Sequence, residues 1–318
     1  MLIISKNRRI FNTYLKKYKN IWIYLPLCLT FSQDIIKYNS KTCDKIFIFA
    51  NAEDNMDKIV SIKQLSCGWE EFDFSSLYRE CKLGVQRLPV SVFMIEHRKK
   101  GLILLNTGCS MRIRKNPAAY SKYISHHKLS FTEKDTVTSK LKQLELDPIA
   151  VKRVLLSQCD PECCGGLGLL PKYELHSTAR VLAVLTIADP KDNVMKSTLP
   201  DDNVSKSAAG LFRGKSILGE YFKWVYDVFG DGSVLAVDIG GHSNAMAGFY
   251  FPEKEIFFAA DASVDERAIY ENLIPTDKLL SMQYDADEYL CGMMNLRKIH
   301  KDHPEVKLLF SHSEAQEL

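Results

Sequence analysis

The sequence contains no Cys-x-x-Cys pair, which argues against a zinc ribbon built from paired thiolates. It has no glycine-rich phosphate loop; Gly230 to Ser233, GDGS, reads instead as a hairpin turn. No repeat or long low-complexity tract is present, so solenoid and fibrous architectures are set aside. The apolar run Ile21 to Phe31 is only eleven residues long and is broken by Pro26, too short to span a bilayer, so no transmembrane span is expected. Excess charge is missing too: 42 basic and 39 acidic residues give a net of +3. Residues 1–55 hold nine Lys/Arg and four Asp/Glu, leaving 33 and 35 for the rest of the chain. A near-neutral body does not offer the clustered cations that neutralise phosphates, so no nucleic-acid partner is expected. The nine cysteines are odd in number and irregular in spacing, which argues against a disulfide scaffold and for a reduced, cytoplasmic setting.

What is present is ordinary for a globular chain of 318 residues, 46% hydrophobic and 25% charged. Residues 1–55 read as a basic extension, disordered or loosely docked. A signal peptide with cleavage near Thr30 and Ser32, or at Ala50-Asn51-Ala52, is one alternative, and a peripheral membrane contact is another. Residues 56–318 form the expected domain.

Within it, IVSIKQLSCGW (59–69) alternates as a strand, and PVSVFMIEH (89–97) with GLILLNTG (101–108) reads as a hairpin. Residues 114–128 read as a polar loop with a helical turn, and 132–146 as a helix stopped by Asp147-Pro148. IAVKRVLLS (149–157) is a strand. Residues 173–189 mix strand and helix signals, 187–216 read as a long polar surface loop, and 216–230 as an aromatic amphipathic segment. SVLAVDIGGHSNAMAGFYF (233–251) reads as strand, turn, strand, and 253–263 as a strand ending near Asp261. Two helical stretches (266–273 and 285–304) precede a last strand at 306–313. This order suggests two sheets with helices outside them, an α/β/β/α sandwich of the α+β class.

Five short stretches, in order, carry chemistry-bearing residues at strand ends: LLNTG (104–108), QCDPEC (158–163) followed by Gly165-Gly166, DIGGHSN (238–244), FAADA (258–262) and FSHSEA (310–315). Together they resemble the landmarks of the metallo-β-lactamase superfamily, and more closely its lactonase-like branch: a DTG turn, an HxHxDH loop, PGHT, GDA and a late PGHD. The three loop histidines are here Gln158, Asp160 and Cys163, the loop aspartate is Glu162, and the aspartate of DTG is Asn106. His242, Asp261 and His312 stand as in the family.

The resemblance implies two cation sets. The first would be Gln158, Asp160, His242 and Asp261; the second Glu162, Cys163, Asp261 and His312. A glutamine amide is a poor zinc ligand, whereas carboxylate, thiolate and imidazole are competent, so the second set is the better preserved. The implied cofactor is one or two zinc ions, with iron or manganese as alternatives. The implied activity is hydrolysis of a small ester, lactone or thioester by a metal-bound hydroxide. Asp261 would orient the nucleophile, and Asp160 or Glu162 would receive a proton. The competing reading is a catalytically silent member of the fold that binds a small molecule or a protein partner.

Other residues read as structural. Cys163 and Cys164 with Cys159 lack a neighbouring base in sequence and so make a poor thiol nucleophile. His126-His127 reads as a surface pair, His176 as a core histidine, and Ser157 as shaping the turn. The aromatic segment Tyr221 to Phe229 and the 187–216 loop are candidates for a pocket wall.

Overall fold

The computed structural model describes residues 56–115, 117–189, 192–199 and 204–314. The expectations for residues 1–55 lie outside these. The strands are β1 (Ile59–Asp73), β2 (Val85–His97), β3 (Gly101–Leu105), β4 (Leu129–Ser130), β5 (Val151–Leu155), β6 (Glu174–Ser177), β7 (Ser205–Ala208), β8 (Gly210–Leu211), β9 (Tyr226–Asp227), β10 (Leu235–Asp238), β11 (Ala247–Phe251), β12 (Ile256–Phe258) and β13 (Lys307–Leu309). One sheet has the order β4-β1-β2-β3-β5-β6-β7 and the other β13-β12-β11-β10-β9-β8. The α-helices are α1 (Phe74–Leu77), α2 (Pro117–His126), α3 (Val137–Gln143), α4 (Pro161–Cys164), α5 (Ala179–Ile187), α6 (Glu266–Tyr270), α7 (Asp277–Ser281) and α8 (Ala286–Asp302).

The two sheets meet through their apolar faces, where the rings of Phe93 on β2 and Phe258 on β12 pack edge-on at 5.3 Å. Helix α3 packs on β1, and α5 on β6 and β7. Helix α8 lies beside the second sheet, with Gly292 against Ile239. Its ends follow simple electrostatics: the Asp285 side chain accepts from the Glu288 N–H, Asp287 and Glu288 occupy the first turn, and His300 and Lys301 the last. This is the sandwich of the α+β class that the sequence suggested.

Three stretches differ from their sequence reading. Within residues 114–128, Pro117–His126 form the ten-residue helix α2 rather than a single helical turn, with Tyr123 buried. The 187–216 stretch supplies two strands, β7 and β8, so it is not simply a surface loop. Strand β1 continues four residues beyond Trp69, to Asp73.

Strand β2 anchors the last loop of the chain. Its pairing with β3 runs only from Phe93 to His97. Below Phe93 that edge takes the loop after β13 instead: Ser91 N–H donates to the Ser311 carbonyl at 2.8 Å, and the Pro89 carbonyl lies 3.0 Å from His312 Nδ1. Pro89 has no N–H to give, so a stretch of edge outside the β3 ladder suits it.

Candidate metal centre

The candidate residues sit just beyond strand ends. Asn106 follows β3, Ser157 to Cys164 follow β5, His242 lies between β10 and β11, Asp261 follows β12 and His312 follows β13. Asn106 is fully buried with φ +63°, a left-handed conformation that asparagine tolerates better than most residues. Its side-chain oxygen accepts from Ser157 N–H at 3.0 Å and Ser157 Oγ at 2.9 Å, fixing the start of the loop. The N–H and hydroxyl of Thr107 both donate to the Cys163 carbonyl, at 2.8 and 3.0 Å. The Gly-Gly after the loop is a packing requirement. A Cβ on Gly165 would lie 2.3 Å from the Pro161 carbonyl oxygen, and one on Gly166 2.3 Å from that of Thr107.

The first implied set is satisfied within itself. The Gln158 amide nitrogen donates to Asp261 Oδ2 and lies 3.6 Å from Cys163 Sγ, while its oxygen accepts from Ser243 Oγ at 3.1 Å. Asp160 accepts from Asn193 Nδ2 at 3.1 Å and lies 3.6 Å from His242 Nε2. The other nitrogen of His242 is 3.1 Å from Gln283 Oε1. Burial works against a charged His242, but the neighbouring Asp160, Asp261 and Glu162 together raise its pKa to about 9. The result is an imidazolium–carboxylate pair. Gln158 is hydrogen-bonded onto Asp261 and His242 is paired with Asp160, so these four residues are taken up by contacts of their own, and the Gln158 amide is a poor cation ligand.

The second set is different. His312 Nδ1–H donates to the Pro89 carbonyl, and burial lowers its pKa, so the ring is neutral and Nε2 carries a lone pair. That lone pair faces three carboxylates: Asp261 Oδ1 at 3.6 Å, Glu162 Oε1 at 3.8 Å and Glu70 Oε2 at 3.7 Å. Glu162 Oε2 is buried and takes no donor from other side chains among the described residues. Lone pairs this close call for a positive charge between them; a proton held between the Glu70 and Glu162 carboxyl groups meets that need without metal, and carboxylate and imidazole donors also fit a cation. Cys163 is the least apt of the expected ligands: burial, then the Asp261 and Glu162 charges, push its thiol well up, and Gln158 is its polar neighbour.

Glu70 was not among the residues singled out from the sequence, nor was His127 as anything but a surface residue. Glu70 is 3% exposed; its Oε1 lies 3.0 Å from His127 Nδ1, and its Oε2 takes no donor from other side chains among the described residues. Burial, with Asp261 adding like charge, raises the Glu70 pKa to about 8. Glu162 is pushed up by burial and then by Glu70 itself. His127 stacks on Tyr123 at 4.2 Å, so it is half-buried and engaged, not a free surface residue. One donor atom from each of Glu70, Glu162 and His312 lies within 4.8 Å of the others.

The aromatic segment does line a cavity of ≈ 470 Å³, through Phe222, Lys223 and Trp224, but none of the candidate ligands borders it. His176 packs edge-on against Phe229 in the core, with its pKa lowered by burial. None of the seven described cysteines is in a disulfide. Among the described residues no helix is long and apolar enough to cross a membrane.

No protein-family model and no curated protein matches the sequence. Solved structures do match the fold. An N-acyl homoserine lactone hydrolase with N-hexanoyl-L-homoserine at its catalytic metal centre superposes with a TM-score of 0.59 at 15% identity, covering 81% of this chain and 94% of that one. A probable metal-dependent hydrolase from Staphylococcus aureus gives 0.54 at 11% identity, over 81% and 90%. A dizinc quorum-quenching lactonase in complex with its product gives 0.51 at 12% identity, over 79% and 87%. The chain therefore has the metallo-β-lactamase fold, in the arrangement of the lactonase-like hydrolases.

Proposed function

We propose that residues 56–318 form a metal-dependent hydrolase of small esters, lactones or thioesters that holds one divalent cation rather than two. The observation that carries this reading is the neutral His312 Nε2 turned toward two buried carboxyl groups, Glu162 at 3.8 Å and Glu70 at 3.7 Å. The fold neighbours in complex with acyl-homoserine products, one of them bound at its catalytic metal centre, support the substrate class. Zinc, iron and manganese all suit carboxylate and imidazole donors. A bound cation there would polarise a carbonyl and lower the pKa of water.

The chain's own residues supply the rest. Asp261 is oriented by the Gln158 amide and by Ser311 Oγ at 3.0 Å, which fixes its other oxygen toward His312. His242, 22% exposed, carries a proton at Nε2 beside Asp160, placed to give it to a leaving oxygen. The carboxylate-rich set makes the cation a weaker Lewis acid than one held by neutral histidines, so turnover is expected to be slow. Reduced, unpaired thiols favour the cytoplasm as its setting.

The test is elemental analysis of purified, untagged protein beside His312→Gln, followed by a screen of acyl lactones, aryl esters and thioesters. One cation per chain, lost in the variant, with cation-dependent turnover is expected. A folded protein with neither cation nor turnover would leave the silent binding protein, which the self-satisfied Gln158–Asp261 contact favours.

A further inference from the structure

The cation position that the resemblance implies uses Cys163; the geometry points elsewhere. We propose that the cation is held by Glu70, Glu162 and His312, in a site displaced toward β1 from the position that Cys163 would serve. This rests on the proposed function, in which the chain binds one divalent cation. Three observations carry it. The donors of these three residues converge to within 4.8 Å from three separate elements: β1, α4 and the loop after β13. Two of the oxygens, Glu70 Oε2 and Glu162 Oε2, are buried on residues 3% and 2% exposed and take no donor from other side chains among the described residues; the two carboxyl groups face each other. Two of the donors already have outer partners that aim them: the Pro89 carbonyl behind His312, and His127, backed by the Tyr123 ring, behind Glu70. Metal-bound imidazoles and carboxylates are oriented in this way in built sites.

Donors about 2.0–2.2 Å from one ion lie no more than about 4.4 Å apart, so closing the site needs a movement of less than about 1 Å. The Cys163 Sγ has the Gln158 amide nitrogen 3.6 Å away. Two carboxylates and one imidazole favour zinc, manganese or iron over softer ions, and leave positions open for water and a carbonyl oxygen.

The experiment uses the full chain, stripped with a chelator and titrated with zinc chloride and with manganese chloride. Binding is followed by metal analysis after gel filtration and by the shift in melting temperature. Glu70→Gln and Glu162→Gln are compared with Cys163→Ala. One ion per chain is expected in the parent. Each glutamine variant should weaken binding by more than the ~10–100-fold that loss of an outer partner costs, and Cys163→Ala by far less. If Cys163→Ala loses the ion and Glu70→Gln keeps it, the displaced site is wrong and the hydrolase reading stands. If the folded parent binds neither ion, both fall. Should Glu70→Gln fail to fold, Glu162→Gln and His127→Gln decide: unchanged binding in both overturns the site.

Discussion

Replacing Asn106 with alanine removes the acceptor that holds two donors of Ser157, at 3.0 and 2.9 Å, in a fully buried place. The Ser157 hydroxyl can rotate toward another acceptor, at a cost of about 1 kcal/mol, but its N–H cannot, and a stranded buried N–H costs about 2 kcal/mol. Alanine at φ +63° adds about 1 kcal/mol of backbone strain. Against this, the Asn106 Nδ2 group has no hydrogen-bond partner in the parent, and losing it returns about 1 kcal/mol. The net expectation is a loss of about 3 kcal/mol. Asn106→Gly loses the same acceptor without the left-handed strain, so it should be milder by about 1 kcal/mol. Urea unfolding with linear extrapolation reads both values, provided the m-values match the parent. Variants that both stay within about 1 kcal/mol of the parent, or a glycine no milder than the alanine, would refute this account of the loop anchor.

Other contacts carry expected outcomes of their own. Gly166→Ala places a Cβ 2.3 Å from the Thr107 oxygen and should lower the urea midpoint by a destabilisation of about 2–3 kcal/mol, while Gly84→Ala, with nothing within 4 Å, should be nearly neutral. Gln158→Glu turns an amide donor into a carboxylate beside buried Asp261; the metal-free protein should lose about 3 kcal/mol, read by the same unfolding assay. His97 is buried, and its Nδ1 accepts from the N–H groups of Lys99 and Lys100 at 3.1 and 3.2 Å. Burial depresses its pKa, so its contribution is complete above the unfolded value near 6.5 and is lost as pH falls below it. The difference in stability between the parent and His97→Gln should therefore shrink as pH falls from 7 to 5, since the parent alone loses this contribution; pH profiles that run parallel would remove His97 as a contributor.

Much of the fold is legible because its landmarks lie where strands end. Asn106 and Asp261 are the first polar residues after an apolar run, and the 158–163 loop, His242 and His312 follow one within a few residues, so strand periodicity brackets them. Glu70 is not legible for a definite reason. Before the bulge at Gly68, where φ is +129°, Leu65 and Cys67 point inward; after it the register shifts between Ser66 and Trp69, and the inward position becomes Glu70. A shift of one residue moves every later side chain to the other face, and simple alternation cannot report it. His127 is hidden likewise, since its partner is Glu70 and its neighbour Tyr123 is buried only once α2 has formed. The closed contact of Gln158 with Asp261 spans 103 positions and has no local signature.

The docking of the loop after β13 against the edge of β2 bears on how the protein is made. The Pro89–His312 contact closes over 223 positions, and the contact from Gln64 to Ser313 over 249. Such distant pairings are entropically the slowest to form. During synthesis, strands β1 to β12 can emerge and pair while the edge of β2 is still bare, since its cover comes from residues translated far later. The cluster of buried carboxylates then waits on the loop after β13, and the growing polypeptide has an exposed strand edge of the kind chaperones shield. Assembly of the centre thus waits for the loop after β13 to be made, long after β2 has emerged.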